Sequence, residues 1–283
     1  MRILKAIGLA LVGSALAIGG AQAQKKWETV KIATEGAYAP WNFSGPGGKL
    51  DGFEPELAAD LCRRMNVKCE VVAQDWDGII PSLNAGKYDA IMAGMNITPK
   101  RQEAIQFSRV YAASPHGFGV LADSPLVKLA GTDQVLHLEK DADAAKKIIE
   151  EWKPLLKGKT IGVQGSTTNS AFLEKYFKGT AEIREYKTTE QHDLDLAAGR
   201  IDAIFAGYSA LAGTQEKPEF KTMKIVGAGL SGDVLGAGVA VGMRKGDADL
   251  KAMFDKAINE AIADGSLAKL TAKWFKTKMS PQS

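Results

Sequence analysis

Apolar and polar positions along this chain of 283 residues switch repeatedly between a period of two and a period near 3.6. The run TVKIATEG, from Thr29 to Gly36, predicts a strand closed by a glycine turn, and EPELAADLCRRMN then places Leu57, Leu61 and Met65 on one helical stripe. CEVVAQ predicts the next strand, DGIIPSLNAG a helix and YDAIMAG a further strand. Strands alternating with helices in this way are the pattern of an α/β protein built on parallel sheets.

One unit is written twice. AGKYDAIMAG at residues 85–94 returns as AGRIDAIFAG at 198–207, and a strand ending in a polar residue and glycine recurs as Thr34-Glu35-Gly36 and Val163-Gln164-Gly165. Two lobes with the same plan are therefore expected. The first crossing between them falls where HGFGVLA follows SRVYAASP, with Pro115 and Gly117 supplying the kink, and the return falls near DVLGAGVAVGMRKGD. This assigns residues 24–115 and 236–283 to a discontinuous first lobe and 116–235 to the second. An inserted helix near 141–156 buries Ile148, Trp152 and Leu155 or Leu156, with Pro154 bending or ending it. DLKAMFDKAINEAIADGSLAKLTAKWF gives one or two amphipathic helices at the far end.

The first residues follow a different rule. Arg2 and Lys5 precede an apolar run from Ala6 to Ile18, and Ala21-Gln22-Ala23 follows, which is the layout of a secretory signal peptide over residues 1–23 cut after Ala23. The run falls short of the roughly 20 residues that cross a bilayer. Export to the periplasm is the expectation, and there Cys62 and Cys69 favour a disulfide stapling a helix end to the next strand. Two sulfurs without a nearby histidine are an incomplete metal set, so no metal and no cofactor is expected.

Losing Arg2 and Lys5 lowers the formal charge from +3 to +1, and no basic run remains for nucleic acid. With 45% apolar residues the chain has material for real cores. His116, His137 and His192 stand apart from any nucleophile motif or HExxH spacing, so catalysis is not indicated.

Ligands of open α/β sheets sit beyond the carboxyl ends of the strands. The candidates there are Glu35, Tyr38, Trp76, Asn96 and Arg101 in the first lobe, and Gln164, Ser166, Thr167, Thr168 and Asn169 in the second. In NITPKRQEAI, Thr98 caps a helix that starts at Pro99, and Arg101 on its first turn makes a carboxylate site; a capped surface arginine is the plainer reading. GVQGSTTNSAF brings hydroxyls and amides to another helix start, without the lysine of a phosphate loop. Tyr38 and Trp76 suit the clamping of a flat or aliphatic ligand portion, although aromatic rings more often fill cores. Glu35 supplies the anion for a cationic end, and His116 sits at the first crossing.

The stretches TEGAYAPWNF, DGFEPELAADLC, DGIIPSLNAGKYDAIMAGMNIT, KRQEAIQFS and GRIDAIFAG closely resemble the periplasmic polar amino-acid-binding proteins of ABC importers, over residues 31–275. The likeness is to the lysine/arginine/ornithine and histidine receptors and most of all to the octopine and nopaline branch. It implies a periplasmic-binding-protein fold of type II, two α/β lobes joined by two hinge crossovers and closing on one ligand in the cleft. It further implies a monomer that hands an amino-acid-like molecule to an inner-membrane permease. By position, Arg101 would hold the ligand carboxylate with Thr168, Asn96 and amides near Gly94; Tyr38 and Trp76 would sandwich the side chain; Glu35 would meet the cationic end. Cys62 and Cys69 match the disulfide of the family.

The chain departs from the basic amino-acid receptors where it carries Ala93 and Gly94 in place of paired serines, and Gly207 in place of the aspartate that grips the α-ammonium. Opine receptors resemble it in lacking that aspartate and in an insertion around residues 128–157, and Asn96 stands where they carry smaller residues. A basic amino acid, an arginine-derived opine and another conjugate all fit. The similar periplasmic dehydratases of cyclohexadienyl type, and a sensory role, are the alternatives from other classes.

Overall fold

The computed structural model describes residues 26–276 and Met279, so the leader expected over residues 1–23 lies outside the described residues. Among the described residues no helix is long and apolar enough to cross a membrane.

Two mixed sheets carry the fold. In the first, the strand order is Lys68–Ala73, Thr29–Thr34, Ala90–Ile91, Val239–Met243, Gln106–Ala112. The three early strands run parallel, while Val239–Met243 enters from late in the chain and pairs antiparallel with both neighbours. In the second sheet the order is Glu182–Tyr186, Thr160–Gln164, Ala203–Gly207, His116–Val120, Lys224–Ser231, Val135–His137. Thr160–Gln164 is parallel to its two neighbours, and His116–Val120 is antiparallel to Ala203–Gly207. The chain passes between the sheets after Ala112 and again after Ser231, which makes this the two-lobe type II fold with mixed α/β sheets.

Each sheet packs its own core. Helix Phe53–Met65 turns Phe53, Leu57, Ala58 and Leu61 inward and joins the helices Ala248–Ala263 and Ser266–Phe275 over the first sheet. The bridge Cys62–Cys69, with Cα atoms 6.1 Å apart, ties that helix to the strand after it. Over the second sheet, helix Ala142–Leu156 buries Ile148, Ile149, Trp152 and Leu156, while the indole of Trp152 donates to the Ala130 carbonyl at 2.9 Å. Pro154 lies inside this helix, which runs on to Leu156 instead of ending at the proline. In the last turn the proline removes one N–H from the ladder, and the burial of Trp152 and Leu156 on either side holds the helix through it.

YDAIMAG also differs from expectation, since the strand is only Ala90–Ile91. Gly94 lies at φ +60, in the left-handed region, and turns the chain out of the sheet toward the cleft. That turn places the following polar residues beside the other lobe.

Candidate ligand-binding site

Between the lobes lies a narrow cavity lined by residues of both sheets. Glu35, Tyr38, Trp76, Ala93, Gly94, Asn96 and Arg101 line it from the first sheet's loops. His116, Gln164, Thr167, Thr168 and Asn169 line it from the second's. The strand-end loops of both lobes thus converge as the parallel topology requires.

Glu35 follows the strand Thr29–Thr34 and is buried. The side-chain amide of Gln164, in the other lobe, donates to Glu35 Oε1 at 2.6 Å and to the Lys187 carbonyl at 3.0 Å. Burial pushes the Glu35 carboxyl up to about 7; the Gln164 hydrogen bond opposes this, and the charges of Glu54, Asp75 and Asp77 add to it. A desolvated carboxylate surrounded by like charge is a site for a cation.

Arg101 supplies the opposite demand. Thr98 caps the short helix Pro99–Ala104 by accepting from the Arg101 N–H at 3.2 Å, as the sequence predicts. The Arg101 guanidinium donates to the Asn96 carbonyl at 2.8 Å and lies 5.1 Å from the centre of the Trp76 ring. Desolvation lowers it to about 10, so it stays charged at neutral pH. No ion pair of Arg101 occurs among the described residues, so a planar, bidentate donor faces the cavity without its natural carboxylate partner.

Helix Thr168–Phe177 begins at the cavity, with Thr167 as its cap: its side chain accepts from the Ser170 N–H at 3.1 Å and donates to the Gln164 carbonyl at 2.7 Å. Of the candidates in this run, Thr167, Thr168 and Asn169 line the cavity. His116 is buried, and burial lowers it to about 4. Its Nδ1 lies 2.7 Å from Asn169 Oδ1, which calls for a neutral ring protonated at Nδ1 and leaves Nε2 as an acceptor.

Gly94 lines the cavity, as expected, while its own N–H donates to Glu54 Oε1 at 2.7 Å, which leaves the neighbouring amides for a ligand carboxylate. One expected position comes out differently. Gly207 is buried at the end of Ala203–Gly207 and does not line the cavity; a Cβ there would meet the Tyr38 hydroxyl at 3.3 Å and the hydroxyls of Ser114 and Ser209 at 3.9 Å. Tyr38 also closes over Gly94, where a Cβ would lie 2.8 Å from its ring. One tyrosine thereby covers both glycines that set this chain apart.

Comparison with known proteins matches residues 30–277 to the model of the bacterial extracellular solute-binding proteins, family 3. The chain is 51% identical over 286 residues to the octopine-binding periplasmic protein of Rhizobium meliloti, covering 95% of this chain and 97% of that one. It is 36% identical over 252 residues to the lysine/arginine/ornithine-binding periplasmic protein of Escherichia coli K12, covering 88% of each. Among solved structures, a periplasmic His/Glu/Gln/Arg/opine family-binding protein from Silicibacter pomeroyi in complex with lysine superposes with a TM-score of 0.70 at 30% identity, covering 89% of this chain and all of that one. These relatives are named as binding proteins, which does not favour the dehydratase alternative. The chain belongs to the bacterial extracellular solute-binding proteins of family 3, as a binding protein with its candidate site between two lobes.

Proposed function

We propose that this chain is the receptor for an arginine-derived opine of the octopine type, and that it delivers this ligand to the inner-membrane permease of an ABC importer. On this reading the chain acts in the periplasm as a monomer after losing its leader near Ala23, and its lobes divide at residues 115/116 and 235/236.

The observation that carries the ligand is a pair of opposite charges lining one cavity, Glu35 and Arg101, neither in an ion pair among the described residues, with no second acid in the lining. A free basic amino acid brings two cationic groups, and burying an ammonium without an anion is costly. An opine brings a secondary amine flanked by carboxylates of its own molecule, so Glu35 is left for the guanidinium and Arg101 for a carboxylate. Trp76 and Tyr38 line the same cavity. The octopine-binding relative at 51% identity supports the same class.

A thermal-shift screen of the mature protein tests this. Ligands that bind only the folded form raise the melting temperature by mass action. Octopine and nopaline are expected to raise it more than arginine, lysine or histidine do at equal concentration. The reverse order would favour an ordinary basic amino-acid receptor.

A further inference from the structure

The acid that organises the first lobe's half of the cavity is not one of the residues lining it. Glu54, in the first turn of helix Phe53–Met65, is fully buried. Its Oε1 accepts from the Gly94 N–H at 2.7 Å and from the Tyr111 hydroxyl, and its Oε2 accepts from the Asn42 side-chain amide at 2.6 Å. Asn42, also fully buried, continues the chain with its other end, because its Oδ1 accepts from the Gly36 N–H at 2.8 Å.

The N–H groups of Gly94 and Asn42 take one acceptor site on each oxygen, and with the Tyr111 hydroxyl donating, all three groups are satisfied by an ionised carboxylate. Burial raises the Glu54 carboxyl and these three hydrogen bonds oppose it, while Tyr111 is held protonated well above the usual range. The start of a helix also favours negative charge. Through four bonds the carboxylate reaches the Glu35–Gly36 turn, the Gly94 turn and the strand Gln106–Ala112, which leads into the first crossing.

We propose that Glu54 is a positioning residue for ligand binding: without touching ligand it holds the Glu35 turn and the Gly94 turn in register with the strand that enters the hinge, and its charge adds to that of Glu35 in favouring a cationic ligand end. The preference for a cation rests on the function proposed above; the positioning role does not. Nothing else fully buried in the lobe connects these three segments through side-chain hydrogen bonds among the described residues.

Glu54→Gln keeps the shape but replaces one acceptor by a donor. The new amide faces Asn42, and if Asn42 turns over to accept from it, the Gly36 N–H loses its acceptor. Adding Asn42→Asp restores every bond, because the aspartate accepts both from the new side-chain amide at position 54 and from the Gly36 N–H. Amide exchange in ligand-free protein is read first: in Glu54→Gln the amide of Gly36 is expected to exchange faster while the second lobe is unchanged, and the double variant is expected to restore its protection. Octopine affinity, measured by calorimetry below the melting transition, is expected to fall roughly tenfold or more in the single variant, the scale of a buried group left unsatisfied, and to recover in the double variant. Unchanged exchange at Gly36, or octopine affinity within about twofold of wild type in folded Glu54→Gln, would overturn the proposal. So would failure of the double variant to fold, which is the deciding test if the single variant does not. Absence of octopine binding by the wild type would instead count against the proposed function, and the exchange measurement would still decide the role of Glu54.

Discussion

The indole N–H of Trp76 donates across the cleft to the backbone carbonyl of Ser166, 3.2 Å away, while the face of the same ring carries Arg101 at 5.1 Å. One side chain thus joins the carboxylate-seeking guanidinium of the first lobe to the loop that starts helix Thr168–Phe177 in the second. Ser166 lies at φ +58, a left-handed conformation that orients its carbonyl. The aromatic ring acts as a wall of the cavity, and its N–H acts as a latch between the lobes.

Trp76→Phe separates these two roles, because phenylalanine keeps a ring and loses the donor. A single hydrogen bond has a net value of about 0.5–1.5 kcal/mol, so ligand dissociation is expected to accelerate roughly two- to tenfold with little change in association. Stopped-flow fluorescence resolves the two rates. An unchanged dissociation rate would leave the bond to Ser166 without a role in closure.

Arg101→Ala removes the cavity's unpartnered cation. Loss of one member of a desolvated charge pair costs on the order of 2–5 kcal/mol, so calorimetry is expected to find binding reduced by well over tenfold. The ligand-free melting temperature is expected to hold or rise, since the variant no longer desolvates a charge without a partner. Retained affinity would take Arg101 out of the site.

The pH dependence follows from Glu35. Its carboxyl stands near 7 in the ligand-free folded form, above its ordinary value, so its contribution to ligand-free stability is complete at low pH and is lost as pH rises through about 7. A cationic ligand favours the ionised form, so binding is expected to release a proton below pH 7, and affinity is expected to fall as pH drops from 8 to 6. His116, lowered to about 4, stays neutral across that window and adds no slope. Calorimetry in buffers of different ionisation enthalpy counts the proton, and Glu35→Gln is expected to abolish its release. A flat profile in the wild type would contradict a cation at Glu35.

Gly207 offers the converse experiment. Its φ of −61 and ψ of 140 admit any residue, and a Cβ there requires the Tyr38 hydroxyl to give by a few tenths of an ångström, with the carboxylate beyond it needing more. With the Tyr38 hydroxyl displaced, Gly207→Asp brings an acid to the cavity edge and is expected to improve free arginine relative to octopine by about tenfold or more, because the acid attracts an α-ammonium and repels the conjugate's added carboxylate. A parallel change for both ligands would show that position 207 does not discriminate between them.

Much of this site could be read from the order of residues. Glu35 and Gln164 stand directly after strands, and Thr98-Pro99 marks a helix start whose first turn must carry Arg101, so local rules place all three at the cleft. Glu54 could not be found that way. An acid in the first turn of a helix reads as an ordinary complement to the helix dipole, and its burial depends on Asn42 and Tyr111 brought in by the fold. Gly207 lies outside the cavity lining for a related reason: the repeated strand fixes its end, but Tyr38 of the other lobe stands in front of it. Contacts between the lobes leave no periodic trace in the sequence. The short strand Ala90–Ile91 likewise reflects the turn at Gly94, which an apolar run concealed.

The most direct measurement is isothermal calorimetry of the mature, ligand-stripped protein with octopine and with free L-arginine at pH 8, where Glu35 is ionised. If the cavity takes a ligand with one cationic end and no freely exposed α-ammonium, octopine binds at least about tenfold more tightly than arginine, the factor corresponding to one buried charge mismatch of about 1.4 kcal/mol. Tight binding of arginine with no heat from octopine would contradict it, and would require another group, such as Gln164 or His116, to do the work of the absent acid.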